Sequence, residues 1–464
     1  WRGWTRNRGS GREPYRNVLE ADGKTVGVND DRLQFLSLYL VRFAGGFGLA
    51  ALTTLLPTYI NLYDPSALLL GLFTSGYTLA STLAIVPFAW GGDAGDKRTA
   101  LVVAIGIATL AYTAFAFVSG SWQFVGARAM QGFAATGASL LSLSLVGELA
   151  PTGGRANHIG KANAARLASG IVGALSVGAL YEVYGFQTVY AVLVALLVVS
   201  MVAVVLFVRP DPVRIEGFPF SSLSVNERLR TLTTFRGQYA VAVTLVRTWV
   251  PIYAGVEVAQ GGLAYAPFAV GVVITAERGA NMLFQPYTGR LSDRFGRAAF
   301  IALGGTGYGA IALAVPFTPG VGSVLALPPG IPGMEWLAAT APVKWVGVEA
   351  AVAGLGNLSP AFLPLIACNA LLGIADAFRE PASMALFADE GENTEGGGVA
   401  SSFGIREFVW RPGSIGAPFV GGWLQTNVGI DWVFYLGGGA AFAAVAVFVL
   451  VLASQHGAGA LRRW

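Results

Sequence analysis

Eight arginines, Arg42, Arg128, Arg166, Arg247, Arg278, Arg379, Arg406 and Arg411, lie inside stretches that are otherwise apolar. A guanidinium presents a planar fork of donors that grips a carboxylate or a phosphate through two parallel hydrogen bonds. In an apolar stretch such a charge is costly unless a partner, water or an ionic ligand meets it. Five acids share these stretches: Glu257, Glu277, Asp376, Glu380 and Glu407. All five belong to the second half of the chain. Arg42, Arg128 and Arg166 have no carboxylate within their own runs, because Asp64, Glu148 and Glu182 sit at or beyond run ends. The chemistry on offer is therefore ion pairing and anion binding. No phosphate-binding loop, His-Glu-x-x-His helix or Cys-x-x-Cys pair accompanies it, so neither an enzyme nor an ATP-driven pump is expected, and no cofactor or metal.

The elements that hold these charges must cross a membrane. Only 12% of the 464 residues are charged and the mean hydropathy is +0.59, whereas soluble domains are about 25% charged. Apolar runs of about 20 residues, the length of a membrane-spanning helix, recur near 34–60, 68–90, 99–118, 122–147, 162–180, 186–208, 238–256, 264–288, 298–316, 359–388, 399–425 and 431–454. Twelve helical spans are predicted. Runs of this length argue against a barrel, whose strands are about ten residues of alternating polarity. Cys368, the single cysteine, falls within a span and can form no internal disulfide.

The basic residues sort by side. With the N-terminus taken as cytoplasmic, 21 of the 30 lie in the termini and the loops after even-numbered spans, against Lys344 alone on the opposite side. This asymmetry places both termini in the cytoplasm. It also accounts for the pI near 9.2 without nucleic acid. The first 30 residues carry Arg2, Arg6, Arg8, Arg12 and Arg16 but no signal-peptide core, and read as a solvated tail.

The chain also repeats itself. Tyr39-Leu-Val-Arg42 matches Thr244-Leu-Val-Arg247 at an offset of 205, Gly71 matches Gly271 at 200, Pro87 matches Pro286 at 199 and Asp96 matches Asp293 at 197. Glu148 to Asp389 is 241 and Gly185 to Gly429 is 244. The jump marks an insertion of about 42 residues, assigned to the Gly- and Pro-rich stretch 317–358 on the outer face. The organisation expected is a cytoplasmic tail (1–32), a six-helix bundle (33–208), a cytoplasmic linker (209–237), a second bundle containing the insertion (238–454) and a tail (455–464).

Two parallel six-span units, together with the motifs that follow, resemble the major facilitator superfamily. Its G-x-L-x-D-R-x-G-R loop signature is matched by Gly289, Leu291, Asp293, Arg294, Gly296 and Arg297, with a shortened copy at Gly92, Asp96, Lys97 and Arg98. Its R-x-x-Q-G signature on span 4 is matched by Arg128, Gln131 and Gly132. A loose form of a glycine-proline pattern carried by some efflux members lies on span 11, at Gly413, Gly416, Pro418, Gly421 and Gly422. The resemblance covers about residues 33–454 and implies an all-α membrane protein of twelve transmembrane helices in two pseudo-symmetric bundles. It implies a secondary transporter that moves a small molecule by alternating access, as a plasma-membrane monomer with the lipid bilayer as its surroundings. A non-transporting sensor or membrane assembly partner of the same fold is the alternative.

The resemblance also implies roles. Lys97 and Arg98 are expected to reach Glu148, and Arg294 and Arg297 to reach Asp389 or Glu390. These contacts would lock the units together at the cytoplasmic side, with Asp96 and Asp293 at helix ends and Arg128 in the same gating set; plain topology anchoring is the competing reading. Arg42 and Arg247, read as repeat mates on spans 1 and 7, are the candidate clamp for an organic or phosphorylated anion, with Arg278 and Gln131 completing the substrate set. Their alternative role is holding carbonyls or neighbouring carboxylates. Glu277 is the first candidate proton carrier, then Asp376 and Glu407, and an ion pair between Glu277 and an arginine of span 7 or 11 is the competing state. His158 and His456 are expected to be solvated, Trp336 and Trp345 to sit at the membrane interface, and Asn357-Leu-Ser359 is a possible glycosylation triplet.

Overall fold

The computed structural model describes residues 28–150, 155–210, 227–393, 399–457, 459 and 461. Most of the N-terminal tail and of the linker, and the side chains of Glu390 and His456, lie outside what is described. The chain is helical almost throughout: α1 (Val28–Tyr63), α2 (Ala67–Ala94), α3 (Lys97–Phe115), α4 (Ser121–Leu149), α5 (Arg155–Phe207), α6 (Glu227–Gly255), α7 (Pro267–Phe295) and α8 (Arg297–Ala314) come first. Four short helices of the insertion follow: α9 (Thr318–Val324), α10 (Met334–Ala338), α11 (Ala341–Val346) and α12 (Glu349–Gly354). The last three are long: α13 (Phe362–Asn393), α14 (Val399–Asn427) and α15 (Asp431–His456). In hydrocarbon each backbone donor and acceptor must find its partner within the segment, which a helix achieves.

Helix α5 is two spans in one. Gly185 breaks it with φ 74° and ψ −175°, a conformation essentially reserved to glycine, and the chain reverses there without a loop. The arms 155–184 and 186–207 bring the number of long helical crossings to twelve among the described residues. Gly429, its repeat mate between α14 and α15, also has positive φ, 136°. Eight helices are long and apolar enough to cross a membrane by composition alone. The others of that length, α6, α7 and α14, carry Arg247, Glu277 with Arg278, and Arg406, Glu407 with Arg411. Charges within the spans lower their apolarity.

The repeat is visible in three dimensions. A Cβ on Gly132 would lie 2.2 Å from the carbonyl oxygen of Tyr77, and one on Gly373 would lie 2.2 Å from that of Glu277. Both pairs obey the offsets of 241 and 200, so the same close helix approach is built twice. The offset for α1 and α6 differs from the expected 205. Pro57 and Pro251 inside these helices are 194 apart. At the helix ends Asn61 Nδ2 donates to the Gly255 carbonyl at 3.0 Å, which sets these residues at one level. Arg42 is therefore matched by Arg236, and Arg247 lies about 16 Å nearer the insertion end. Eleven residues are almost three full helical turns, so Thr244-Leu-Val-Arg247 repeats the right face at the wrong height. Arg236 was expected in the linker, but α6 has already begun there.

The hydrogen bonds that join the two units among the described residues gather at the insertion end. Besides Asn61 to Gly255, the Glu257 amide donates to Asn61 at 3.2 Å, Gln260 to Asp64 at 3.3 Å and the Phe268 amide to Glu182 at 2.7 Å. One bond lies deeper, from Arg278 Nη1 to the Gly170 carbonyl at 2.6 Å. At the opposite end Arg209 pairs with Asp31 at 3.0 Å. Just past the insertion Ser359 shares a hydrogen bond with Tyr265, and within it Trp336 and Trp345 are exposed.

Candidate functional site

Four arginines and four carboxylates of the second unit form one network. Arg247 on α6 pairs with Glu277 on α7 at 2.6 Å and with Asp376 on α13 at 3.1 Å. Asp376 also accepts from Arg379 Nε at 3.0 Å, and Arg379 pairs with Glu380 at 2.9 Å. Glu380 in turn meets Arg406 and, at 3.8 Å, Arg236. Glu407 closes the series against Arg406 at 2.6 Å and Arg236 at 3.3 Å. Arg236 also donates to the Arg406 carbonyl at 3.0 Å and lies 4.5 Å over the Trp410 ring. The charges cancel within the network, as buried ions require. Arg247 keeps 47% of its side chain accessible, the most open of the four arginines.

The mate of this site in the first unit lacks the carboxylates. Arg42 donates to Ser139 Oγ at 2.6 Å, the Ser139 carbonyl at 3.2 Å and Asn163 Oδ1 at 3.0 Å. Ser139 and Asn163 are the repeat mates of Glu380 and Glu407, at offsets of 241 and 244. One arginine cradle thus occurs twice, neutralised in one unit and left cationic in the other. Arg42 is 5% exposed and its Nε finds no acceptor.

Other arginines without a carboxylate within 4 Å gather where the units meet. Arg166 on α5 is exposed and makes no hydrogen bond or ion pair with a described residue. Its charge is felt by Arg42 on one side and Arg278 on the other. Arg411 on α14 lies near Tyr77 of α2, its Nε buried without an acceptor. Arg128 is more fully engaged: its Nε donates to the Phe73 carbonyl at 3.0 Å, its Nη1 to Gln131 at 2.7 Å, and its guanidinium lies 5.2 Å over Tyr77. Its mate Asn369 donates to the Val273 carbonyl, again at matching offsets.

These positions revise the expected substrate set. Arg247 does not stand opposite Arg42 as half of an anion clamp, because two carboxylates already hold it. Gln131 is buried and bonded to Arg128, the Tyr112 hydroxyl at 2.7 Å and the Gly48 carbonyl at 3.4 Å, which leaves it no reach toward a ligand. Glu277, Asp376 and Glu407 are all in ion pairs, the competing state anticipated for Glu277. Arg166, Ser139 and Asn163 were missed as a group. The signal was present: with the offsets 241 and 244, Ser139 and Asn163 stand where the other copy has glutamates. His158 is half-buried rather than fully solvated: its Nδ1 lies 2.7 Å from the Tyr39 hydroxyl and its ring stacks on Phe35 with centroids 3.8 Å apart.

The family model of the Major Facilitator Superfamily matches residues 38–346, two thirds of the chain. The chain belongs to the major facilitator superfamily. A multi-drug resistance efflux pump of Lactococcus lactis, a PmrA homolog, is 25% identical over 297 residues, which are 61% of this chain and 71% of that protein. The fold is shared with the nucleoside transporter NupG, at 12% identity and a TM-score of 0.67, over 90% of this chain and 98% of the other. It is shared also with the peptide transporter POT in complex with sulfate, at 12% identity and a TM-score of 0.65, over 92% and 95%. The protein is a multi-pass membrane transporter of this family.

The family's loop motif is built twice, and differently. Asp96 caps α3, accepting from the amides of Arg98 at 3.2 Å and Thr99 at 3.1 Å. Asp293 instead pairs with Arg297 at 2.9 Å, the first residue of α8. Gly296 takes φ 101° at the tight α7–α8 turn, which accounts for the glycine there, while Gly289 passes close to Pro381 of α13. Lys97 reaches Glu148 at 3.3 Å as expected, and Arg297 reaches Asp389. Arg98 turns to the Val205 carbonyl rather than to Glu148, and Arg294 is exposed without an ion pair among the described residues. All of these contacts stay within one unit. They brace the ends of the helices within each bundle.

Proposed function

We propose that the chain is a secondary transporter in which the two six-helix units alternate access to a small organic anion. The observation that carries this is the charge imbalance. Among the described residues Arg42, Arg166, Arg278 and Arg411 stand without a carboxylate within 4 Å, while the second unit's network is neutral. An unpaired buried guanidinium costs several kcal/mol, so a fold that keeps these charges is one in which an anionic cargo completes them. Hydrogen bonds between the units at the insertion end support a conformation closed at that end. The excess of basic residues on that side supports a cytoplasmic location for both termini in a cell membrane. The printed name of the Lactococcus lactis relative, an efflux pump, supports export as the direction.

Glu277 and Asp376 are the proposed proton carriers, with Glu407 next. Their link to Arg247 supplies a mechanism: protonating one carboxylate loosens its hold on Arg247 and lets that guanidinium turn toward a new partner. The test is exchange in proteoliposomes loaded with labelled anionic, neutral and cationic metabolites in parallel. Saturable flux of anions alone is expected. Flux restricted to neutral or cationic compounds would overturn the anion reading, and no flux under any gradient would favour a sensor or assembly partner.

A further inference from the structure

Asn163, Arg166 and Gly170 follow one another at spacings of three and four on α5, so they share a face and span roughly 10 Å along it. Arg42 reaches this strip from α1 through Asn163 at 3.0 Å, and Arg278 reaches it from α7 through the Gly170 carbonyl at 2.6 Å. Arg166 stands between them. Gly46, one turn from Arg42, brings α1 close enough that a Cβ there would lie 2.6 Å from the Arg166 carbonyl and 3.3 Å from its Cγ. Three guanidinium groups from three helices and both units thus converge on one strip with no carboxylate of the described residues within 4 Å. Two observations show that they are not saturated: Arg166 has no partner among the described residues, and Arg42 Nε is buried without an acceptor.

The mate of the strip on α14 shows what is missing. There the equivalent positions are Glu407, Trp410 and Ser414, and Arg236 has a carboxylate and an aromatic face against it. The first unit keeps the arginine of that cradle, adds a second cation in place of the tryptophan, and drops both acids. Like charges held together in a spanning bundle need a counter-charge from elsewhere.

We propose that the α5 strip is a binding site for a dianionic group, in its simplest form a phosphomonoester, gripped by Arg166 and Arg278 with Arg42 behind them. This rests on the anion-transport reading and assigns the part of the cargo that is recognised. Arg278 must leave the Gly170 carbonyl to fork onto the ligand, so binding releases the deepest hydrogen bond between the units. Ligand occupancy and the freedom of the units to move are thereby linked.

The test uses the full chain in nanodiscs of zwitterionic lipid, which keeps lipid anions away from the site. Thermal midpoint and equilibrium binding are followed as inorganic phosphate is titrated against nitrate at matched ionic strength. Saturable stabilisation by phosphate alone is expected. Arg166→Gln should weaken it about tenfold or more, as loss of a charge-assisted fork implies. Asn163→Glu, which restores the carboxylate of the mate, should abolish it without lowering the ligand-free midpoint. Arg166→Lys, which keeps the charge and loses the fork, should bind with intermediate affinity. The inference is overturned if phosphate stabilises no better than nitrate, or if Arg166→Gln and Asn163→Glu bind phosphate like the wild type. Anion flux that persists in proteoliposomes under either result would leave the transport reading standing and move its site elsewhere.

Discussion

Arg42 and Arg236 hold the same place in the two six-helix units, yet Arg236 meets Glu380 and Glu407 where Arg42 meets Ser139 and Asn163. The two arginines should therefore respond differently to removal. Arg236→Met leaves the network one positive charge short, with Glu407 held by Arg406 alone and Glu380 by Arg406 and Arg379, at a cost of up to about 3–5 kcal/mol. Arg42→Met leaves only neutral acceptors unmet, three of them on Ser139 and Asn163, each at about 1–3 kcal/mol at most and less where water enters. Thermal unfolding of the two variants in one detergent should show the larger loss for Arg236→Met. Equal losses, or the reverse order, would mean that the second cradle is not held by its charges.

Much of this architecture was readable before any coordinates, for identifiable reasons. Offsets of 200, 241 and 244 hold because residues such as Gly132, Gly373, Gly185 and Gly429 sit where only glycine fits, and such positions keep register. The offset of α1 and α6 was misread because three helical turns bring Arg247 onto the face that Arg236 occupies. Arg236 itself was hidden by its position, beyond the end of the apolar run, where a charged helix start and a loop look alike. Pairing across helices is the part that a single sequence does not display. Arg247 with Glu277 and Asp376 needs three helices to be placed, and the same residues read one at a time suggested a free arginine.

The doubled glycine approach gives a symmetric prediction about folding. A methyl group at Gly132 or Gly373 would strike the carbonyl of Tyr77 or Glu277 at 2.2 Å, and backbone cannot step aside as a flexible side chain can. Gly132→Ala and Gly373→Ala should each cost about 1–3 kcal/mol through overpacking. The measurable outcome is a lowered thermal midpoint and reduced recovery of monodisperse protein for both. Wild-type behaviour in either would show that the helices pass farther apart than described.

The loop motif makes a separable prediction because its two aspartates do different work. Asp96→Asn keeps a good helix cap, whereas Asp96→Ala removes it, at about 1 kcal/mol. Asp293→Asn breaks an exposed pair with Arg297, worth about 0.2–1 kcal/mol. Stability should thus change little in either Asn variant. Turnover in proteoliposomes should nevertheless fall in both, with equilibrium binding of the cargo retained, if the braced inner ends move as rigid pieces during the transport cycle. Unchanged turnover in both Asn variants would reduce the motif to a topological anchor.

The final prediction concerns coupling and turns on the shared arginine. Arg247 is held by Glu277 through two of its nitrogens, Nε at 2.9 Å and Nη2 at 2.6 Å, and by Asp376 through Nη2 alone at 3.1 Å. Asp376 is also tied to Arg379, so it remains paired whichever way Arg247 moves. Glu277 has no other ion pair among the described residues, so a proton arriving at Glu277 acts on Arg247 alone. Glu277→Gln mimics the protonated state permanently. If a proton is the coupling ion, this variant should lose accumulation driven by a pH gradient while retaining exchange of cargo for cargo, which requires no net proton movement. Asp376→Asn should impair both, because it also leaves Arg379 with Glu380 as its one carboxylate partner among the described residues. Gradient-driven accumulation that survives Glu277→Gln unchanged would exclude this residue as the carrier and leave its contact with Arg247 a purely structural ion pair.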